Sequence, residues 1–211
     1  MLRRMFWIFC GLTTGLSASA AESSCEIRVA GYEFPPYVIH ADDGVRGLAP
    51  ELVERLDEML HNYCFEFVEM ASRRRFEQFA AHGYDLMLFE SPQWGWQDLV
   101  VDMTAVLARD RDIYVAHRRA GRDQSFFENI HERRLLGYLG YHYGFADLET
   151  DSEALETHFD ILLSRSHERN LQLILLDRAD VGEIAILTES FLNAQLAANP
   201  EYKQRLLISE Q

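Results

Sequence analysis

From residue 26 onward, short runs of β-branched and aromatic residues alternate with segments whose apolar residues recur at helical spacing. That alternation restricts the fold more than any other feature. A strand–helix–strand order suits a parallel sheet with its crossovers on the faces, not a helical bundle or an antiparallel sandwich. Residues 26–31, 64–70 and 85–89 read as three such strands. Pro50 suits a helix first turn, and Leu52, Val53, Leu56, Met59 and Leu60 follow it at helical spacing. Residues 73–82 predict a second helix, with Phe76 and Phe79 inward and Gly83 as its stop. Asp42-Asp43-Gly44 marks a turn. The second half repeats the order. A β-rich stretch within 105–116 is followed by an expected helix at 126–134, a strand at 134–139, a helix at 166–176 and a strand at 179–186.

The start of the chain has a different character. Arg3 and Arg4 precede the apolar run Met5-Phe6-Trp7-Ile8-Phe9-Cys10-Gly11-Leu12, and Ala18-Ser19-Ala20 follows as a small-residue tail. This is the three-part layout of a secretory signal peptide, with cleavage expected after Ala20. The run is short of the roughly 20 residues a membrane span requires, and Thr13, Thr14 and Ser17 interrupt it. The mature chain is therefore expected to be exported, retaining Cys25 and Cys64. In an oxidising compartment an even pair favours a disulfide over a catalytic thiol or metal site. Both cysteines sit at the starts of strands that run parallel in a βαβ unit, so a Cys25–Cys64 bridge is expected.

With 34 acidic against 20 basic residues, the net charge of −14 opposes phosphate backbones and anionic lipid, so nucleic acid is not an expected partner. The eight histidines are scattered without metal-ligand spacing, and no HExxH, nucleophile elbow or phosphate loop is present. No metal, cofactor or catalytic residue is expected on this basis, although Glu90, Asp180 and Glu183 have acid–base capacity.

Several motifs occur in a telling order. Tyr32-Glu33-Phe34-Pro35-Pro36-Tyr37 follows the first strand, then come Gly44-Val45-Arg46-Gly47-Leu48, Gly83-Tyr84-Asp85-Leu86 and Asp177-Arg178-Ala179-Asp180-Val181. Together they resemble the family 3 periplasmic solute-binding proteins across nearly the whole mature chain. The resemblance implies an α/β fold of two lobes, each a mostly parallel sheet flanked by helices, closing on a small ligand. It divides the chain into a signal peptide (1–20), lobe 1 (21–113), lobe 2 (114–200) and the start of a return segment (201–211), which stops where relatives continue back into lobe 1. It implies a small-molecule ligand, an ABC transporter permease or membrane sensor as partner, and a monomer. Some relatives on this fold are cyclohexadienyl dehydratases, so a periplasmic enzyme is the alternative, with a ligand-sensing docking module as a third reading.

The resemblance also points to site residues. Tyr32, Phe34 and Tyr37 either stack a ligand at the end of the first strand or pack as core. Among Arg73, Arg74 and Arg75, Arg75 is nearest to where some relatives place a ligand-facing arginine; a solvated basic patch is the competing reading. The family's ligand-gripping arginine lies in a stretch that corresponds here to residues 90–98, which contain none. An ordinary α-amino acid would lose its bidentate partner. Glu90 and Ser91 open that stretch, and Trp94 and Trp96 either replace the arginine with a stacking surface or cap a hinge. Tyr138, Tyr141 and Tyr143 lie near the loop where relatives receive ligand at a helix N-terminus. Asp180 suits an amino group or a turn cap.

Overall fold

The computed structural model describes residues 27–41 and 44–210. The expected signal peptide, Cys25, and Asp42 and Asp43 lie outside the described residues. Lobe 1 comprises β1 (Ile27–Gly31), the hairpin strands β2 (Ile39–Ala41) and β3 (Gly44–Arg46), α1 (Leu48–Met59), β4 (Phe65–Glu69), α2 (Arg75–Ala80) and β5 (Leu86–Met87). Its sheet has the order β4–β1–β5, all parallel, with Ile27 opposite Phe65 and Gly31 opposite Glu69. Val29 and Ala30 of the central strand are fully buried. Gly47 starts α1 at φ 119°, and a β-carbon there would meet the Tyr37 carbonyl oxygen at 2.6 Å, so only glycine fits.

Lobe 2 comprises β6 (Asp112–His117), β7 (Leu135–Tyr138), α3 (Ser152–His158), β8 (Ile161–Ser164), α4 (His167–Leu175), β9 (Ile184–Thr188), α5 (Glu189–Ala198), α6 (Tyr202–Arg205) and β10 (Leu206–Ile208). The order is β10–β6–β9–β7–β8, with β7 parallel to both neighbours and β6 antiparallel to β9 and β10. The two-lobed α/β class expected from the sequence is what the structure has. Every residue of β9 is buried, as a strand covered on both faces must be.

Local expectations fail in four places, each for a physical reason. The expected helix at 126–134 is two 3-10 turns, Gln124–Phe127 and Ile130–Glu132, because Asn129 and Arg133 leave the helical region. The third strand shrinks to two residues because Phe89 turns to φ 58°. The β-rich stretch near 105 becomes a strand only at Asp112, so the expected lobe boundary at 113/114 falls inside β6. Residues 202–208, expected to begin a return segment, form α6 and the outer strand of the lobe 2 sheet instead.

The cores of the lobes meet in aromatic residues. At the first turn of α4, His167 is only 1% exposed and lies within 5.1–5.2 Å, centroid to centroid, of the rings of Tyr138, Tyr141 and Phe191. Neither ring nitrogen has a hydrogen-bond partner. Burial pushes its pKa down to about 3, so the folded protein keeps it neutral. An unfolded chain takes up that proton near pH 6.5. The stability tied to the neutral ring is present above pH 6.5 and is lost as pH falls toward 3, by up to about 1.4 kcal/mol per pH unit. The raised pKa values of Glu33, Glu90 and Asp112 act in the opposite sense, so a comparison with a variant isolates the histidine. His167→Phe is expected to gain stability relative to the parent as pH is lowered from 7 to 4, measured by urea unfolding. A difference that stays constant across that range would contradict the buried neutral imidazole.

Candidate ligand-binding site

Proline geometry shapes the first wall of the site. Glu33-Phe34-Pro35-Pro36-Tyr37 leaves the end of β1 as a tight non-helical bend, with a cis bond between the prolines and a bridge from Phe34 to Val38. The bend turns Tyr32, Phe34 and Tyr37 toward lobe 2. Phe34 meets Trp94 edge-on at 6.0 Å and Tyr141 edge-on at 5.4 Å, while Tyr37 lies 4.4 Å from Phe89. Tyr138 and Tyr141 stand 4.3 Å apart on the lobe 2 side. The expected residues Tyr32, Phe34, Tyr37, Trp94, Tyr138 and Tyr141 thus form one layer, all buried except the half-buried Trp94. In this structure the rings fill the contact between the lobes with one another.

Beside that layer lies a buried ion pair. The side chains of Arg75 and Glu90 are 3% and 6% exposed, with Nε and Oε2 3.5 Å apart. The carboxylate accepts hydrogen bonds from the Tyr32 hydroxyl and, at 2.6 Å, from Trp96 Nε1. The guanidinium donates to the Ser72 carbonyl at 2.6 Å and faces the Phe76 ring. Burial pushes Glu90 up from its ordinary value, offset by Arg75 and the two hydrogen bonds. Burial, then the Glu90 charge, pushes Tyr32 well up, so it stays a donor. His142 stacks on Trp94 at 5.7 Å and approaches Arg75 Nη2 at 3.5 Å. Its pKa is lowered to about 4, by burial first and by Arg75 second. Ser91 is absorbed into the turn that carries Trp94, whose N–H donates to the Ser91 carbonyl.

An open cleft of about 650 Å³ adjoins this plug. Lobe 1 contributes Glu33, His40, Glu69 and Arg73, while lobe 2 contributes Tyr138, Arg165, Ser166 and Glu168. Most follow the C-terminal ends of β1, β4, β7 and β8, where open α/β sheets place their ligands. His40 Nε2 lies 3.2 Å from Glu33 and 2.5 Å from Glu69, which ties the hairpin to the sheet. Arg73 and Arg165 face the cleft from opposite lobes, and neither makes an ion pair among the described residues. The cleft can hold a polar, charged solute.

Of the expected site residues only Tyr138 lines this cleft. Arg73 is one of the three consecutive arginines weighed from the sequence, whereas Glu33, Glu69, Arg165, Ser166 and Glu168 carry no sequence signal beyond standing within a few residues of a strand end. Asp180 is a correction. It lies before the N-terminal end of β9, exposed and paired with Arg178 at 2.8 Å, whereas the other end of β9 reaches lobe 1 through Thr188 and the Pro35 carbonyl. The sheet carries it to the side away from the cleft. Among the described residues no group of three or more metal-type ligands converges, and no helix is long and apolar enough to cross a membrane.

No protein-family model matches the sequence, and no curated protein does. Solved structures do match. Tv2483 bound to L-arginine superposes with a TM-score of 0.64 at 12% identity, over 87% of this chain and 71% of that one. The substrate-binding protein of an ABC uptake transporter from Streptococcus pneumoniae with bound histidine gives 0.63 at 14% identity, over 87% and 73%. A mutant of ArgBP from T. maritima gives 0.60 at 14% identity, over 87% and 75%. With two α/β lobes meeting across a cleft at the C-terminal ends of their parallel strands, the chain has the fold of the two-lobed periplasmic solute-binding proteins.

Proposed function

We propose that the protein is an exported solute-binding protein that captures a small polar or aromatic solute between its lobes for an ABC-type transporter. The observation that carries this reading is the cleft lined from both lobes by ionisable side chains at strand ends. The solved neighbours add support: one is named as an ABC uptake transporter substrate-binding protein with bound histidine, and another is bound to L-arginine. Binding rather than turnover is the reading, with the protein acting in the periplasm as a monomer.

Solute chemistry follows from the charges. Arg73 and Arg165 supply two guanidinium groups outside any ion pair among the described residues, whereas Glu33 and Glu69 are held by His40 and Glu168 accepts from the Ser166 hydroxyl, so the cleft offers donors for an anionic group and no uncommitted carboxylate for an amino group. Residues 90–98 hold no arginine, and Arg75 is engaged with Glu90. Ordinary α-amino acids are therefore expected to bind more weakly than about micromolar, judged by calorimetry. A thermal-shift screen of amino acids, polyamines, sugars and aromatic acids is expected to find a ligand. At 100 times its dissociation constant, such a ligand stabilises by about 2.7 kcal/mol. Arg73→Gln and Arg165→Gln should each weaken it about tenfold or more while leaving the unliganded melting temperature unchanged. Affinity indifferent to both substitutions would place the ligand elsewhere.

A Cys25–Cys64 disulfide belongs to the same reading of an exported protein. Its support is the register: Ile27 N–H donates to the Cys64 carbonyl at 3.0 Å, so the starts of β1 and β4 share one edge of the sheet, and Cys64 is not left without a partner. The bond would close a loop of about 40 residues, worth on the order of 4 kcal/mol in the chain-entropy model. Thiol labelling of the unfolded mature protein should find no free thiol before reduction and two after it. Two free thiols before reduction would rule the bridge out.

A further inference from the structure

A second pocket, of about 330 Å³, opens on lobe 2 away from the cleft. β6 starts beside Thr188, which touches lobe 1, and runs outward to His117, so the loop that follows lies at the distal end of the sheet. There Arg119 and Arg122 close a turn, N–H to carbonyl at 3.1 Å, with Gly121 at φ 77° and open space where its β-carbon would point. The guanidinium groups of Arg122 and Arg133 both lie against the Phe126 ring, 3.9 and 4.4 Å from its centroid. The pocket is lined by these residues together with Asp123 and Ser125.

The charges of this cluster are unevenly spent. Arg119 is held bidentately by Asp177 at 2.6 and 3.1 Å. The Asp123 carboxylate, itself part of the lining, accepts from the Ser125 N–H at 3.0 Å and hydroxyl at 2.6 Å, which engages it within its own turn. Arg122 gives one donor to the His117 carbonyl at 2.8 Å. Neither Arg122 nor Arg133 makes an ion pair among the described residues, and the buried Nε of Arg133 has no hydrogen-bond partner. Burial, then the charge of Arg119, pushes Arg122 down from its ordinary value, with Glu183 and Asp177 offsetting part of the shift.

We propose that this pocket binds a small phosphate dianion, as inorganic phosphate or as a phosphate monoester, through the uncommitted donors of Arg122 and Arg133. A guanidinium presents a planar fork that matches phosphate oxygens in pairs, and stacking on Phe126 holds both forks in place before the anion arrives. The pocket lies apart from the solute cleft, so the two sites can be tested independently.

The test is calorimetry of the mature protein with inorganic phosphate and with glycerol 3-phosphate at constant ionic strength, using chloride as reference. Saturable binding of either is expected, weakened about tenfold or more in Arg122→Gln and in Arg133→Gln and unchanged in Arg55→Gln. Should either glutamine variant fail to fold by circular dichroism, Arg122→Lys and Arg133→Lys keep the charge and lose the fork, and are expected to weaken binding as well. Free phosphate binding with the monoester excluded identifies the ion as the ligand; tighter monoester binding identifies the ester. Binding to phosphatidylglycerol vesicles without binding of either free phosphate would overturn the proposal. So would phosphate binding no stronger than chloride, or binding unchanged in the arginine variants.

Discussion

The carboxylate of Glu90 is the constraint around which the junction of the lobes is built. A charge with 6% of its side chain exposed is costly unless its lone pairs are met, and three groups meet it: Arg75, Tyr32 and Trp96. Tyr32 comes from the end of β1, Arg75 from the start of α2 and Trp96 from the loop after β5. One buried acid therefore ties together three segments that no short-range interaction would join. Arg75 then reaches across to His142, whose ring stacks on Trp94, so the same cluster couples lobe 1 to lobe 2. Removing Arg75 alone would strand Glu90 in a dry site, a loss on the order of 3–5 kcal/mol for pairs of this kind.

Around that pair the aromatic layer does two jobs at once. Phe34, Trp94, Tyr141, Tyr138 and His167 pack edge-to-face or tilted across the junction, the geometry that ring quadrupoles favour. The Tyr141 hydroxyl donates to the Glu33 carbonyl at 3.0 Å, fastening the lobes at the rim of the layer. With the lobes in contact through side chains of the chain itself, the space left for a solute moves to the charged cleft beside the layer. In the proposed reading a solute meets the groups that strand ends deliver, while the rings pack against one another.

Much of the fold was legible before any coordinates. β1, α1, β4 and α2 lie where periodicity and glycine stops put them, because each has a local pattern strong enough to stand without context. β10, α5 and α6 carried no such signal, since their faces are defined only by packing on β6 and β9. Residues 126–134 mislead for a related reason: Phe127 and Ile130 are spaced as on a helix, yet two separate 3-10 turns bury both. Aromatic and arginine residues were found as a group, but burial sorted them into core, and the acids and arginines of the cleft were unremarkable until β1, β4, β7 and β8 placed them together.

Sequence alone determined the class: alternating strands and helices, a non-helical proline bend after the first strand, and an acidic balance that opposes nucleic acid as a partner. These are properties of local chemistry and composition, and they survive any arrangement of the elements. Only the tertiary structure decided which charges are spent and which are free. Arg75 and Arg73 are separated by one residue, yet one is sealed against Glu90 and the other faces the cleft. Asp180 was expected beside the ligand, and the direction of β9 carries it to the other end of the sheet. The physical reason is that burial and pairing of a charged side chain depend on neighbours distant in sequence, and those neighbours exist only once the sheets have formed.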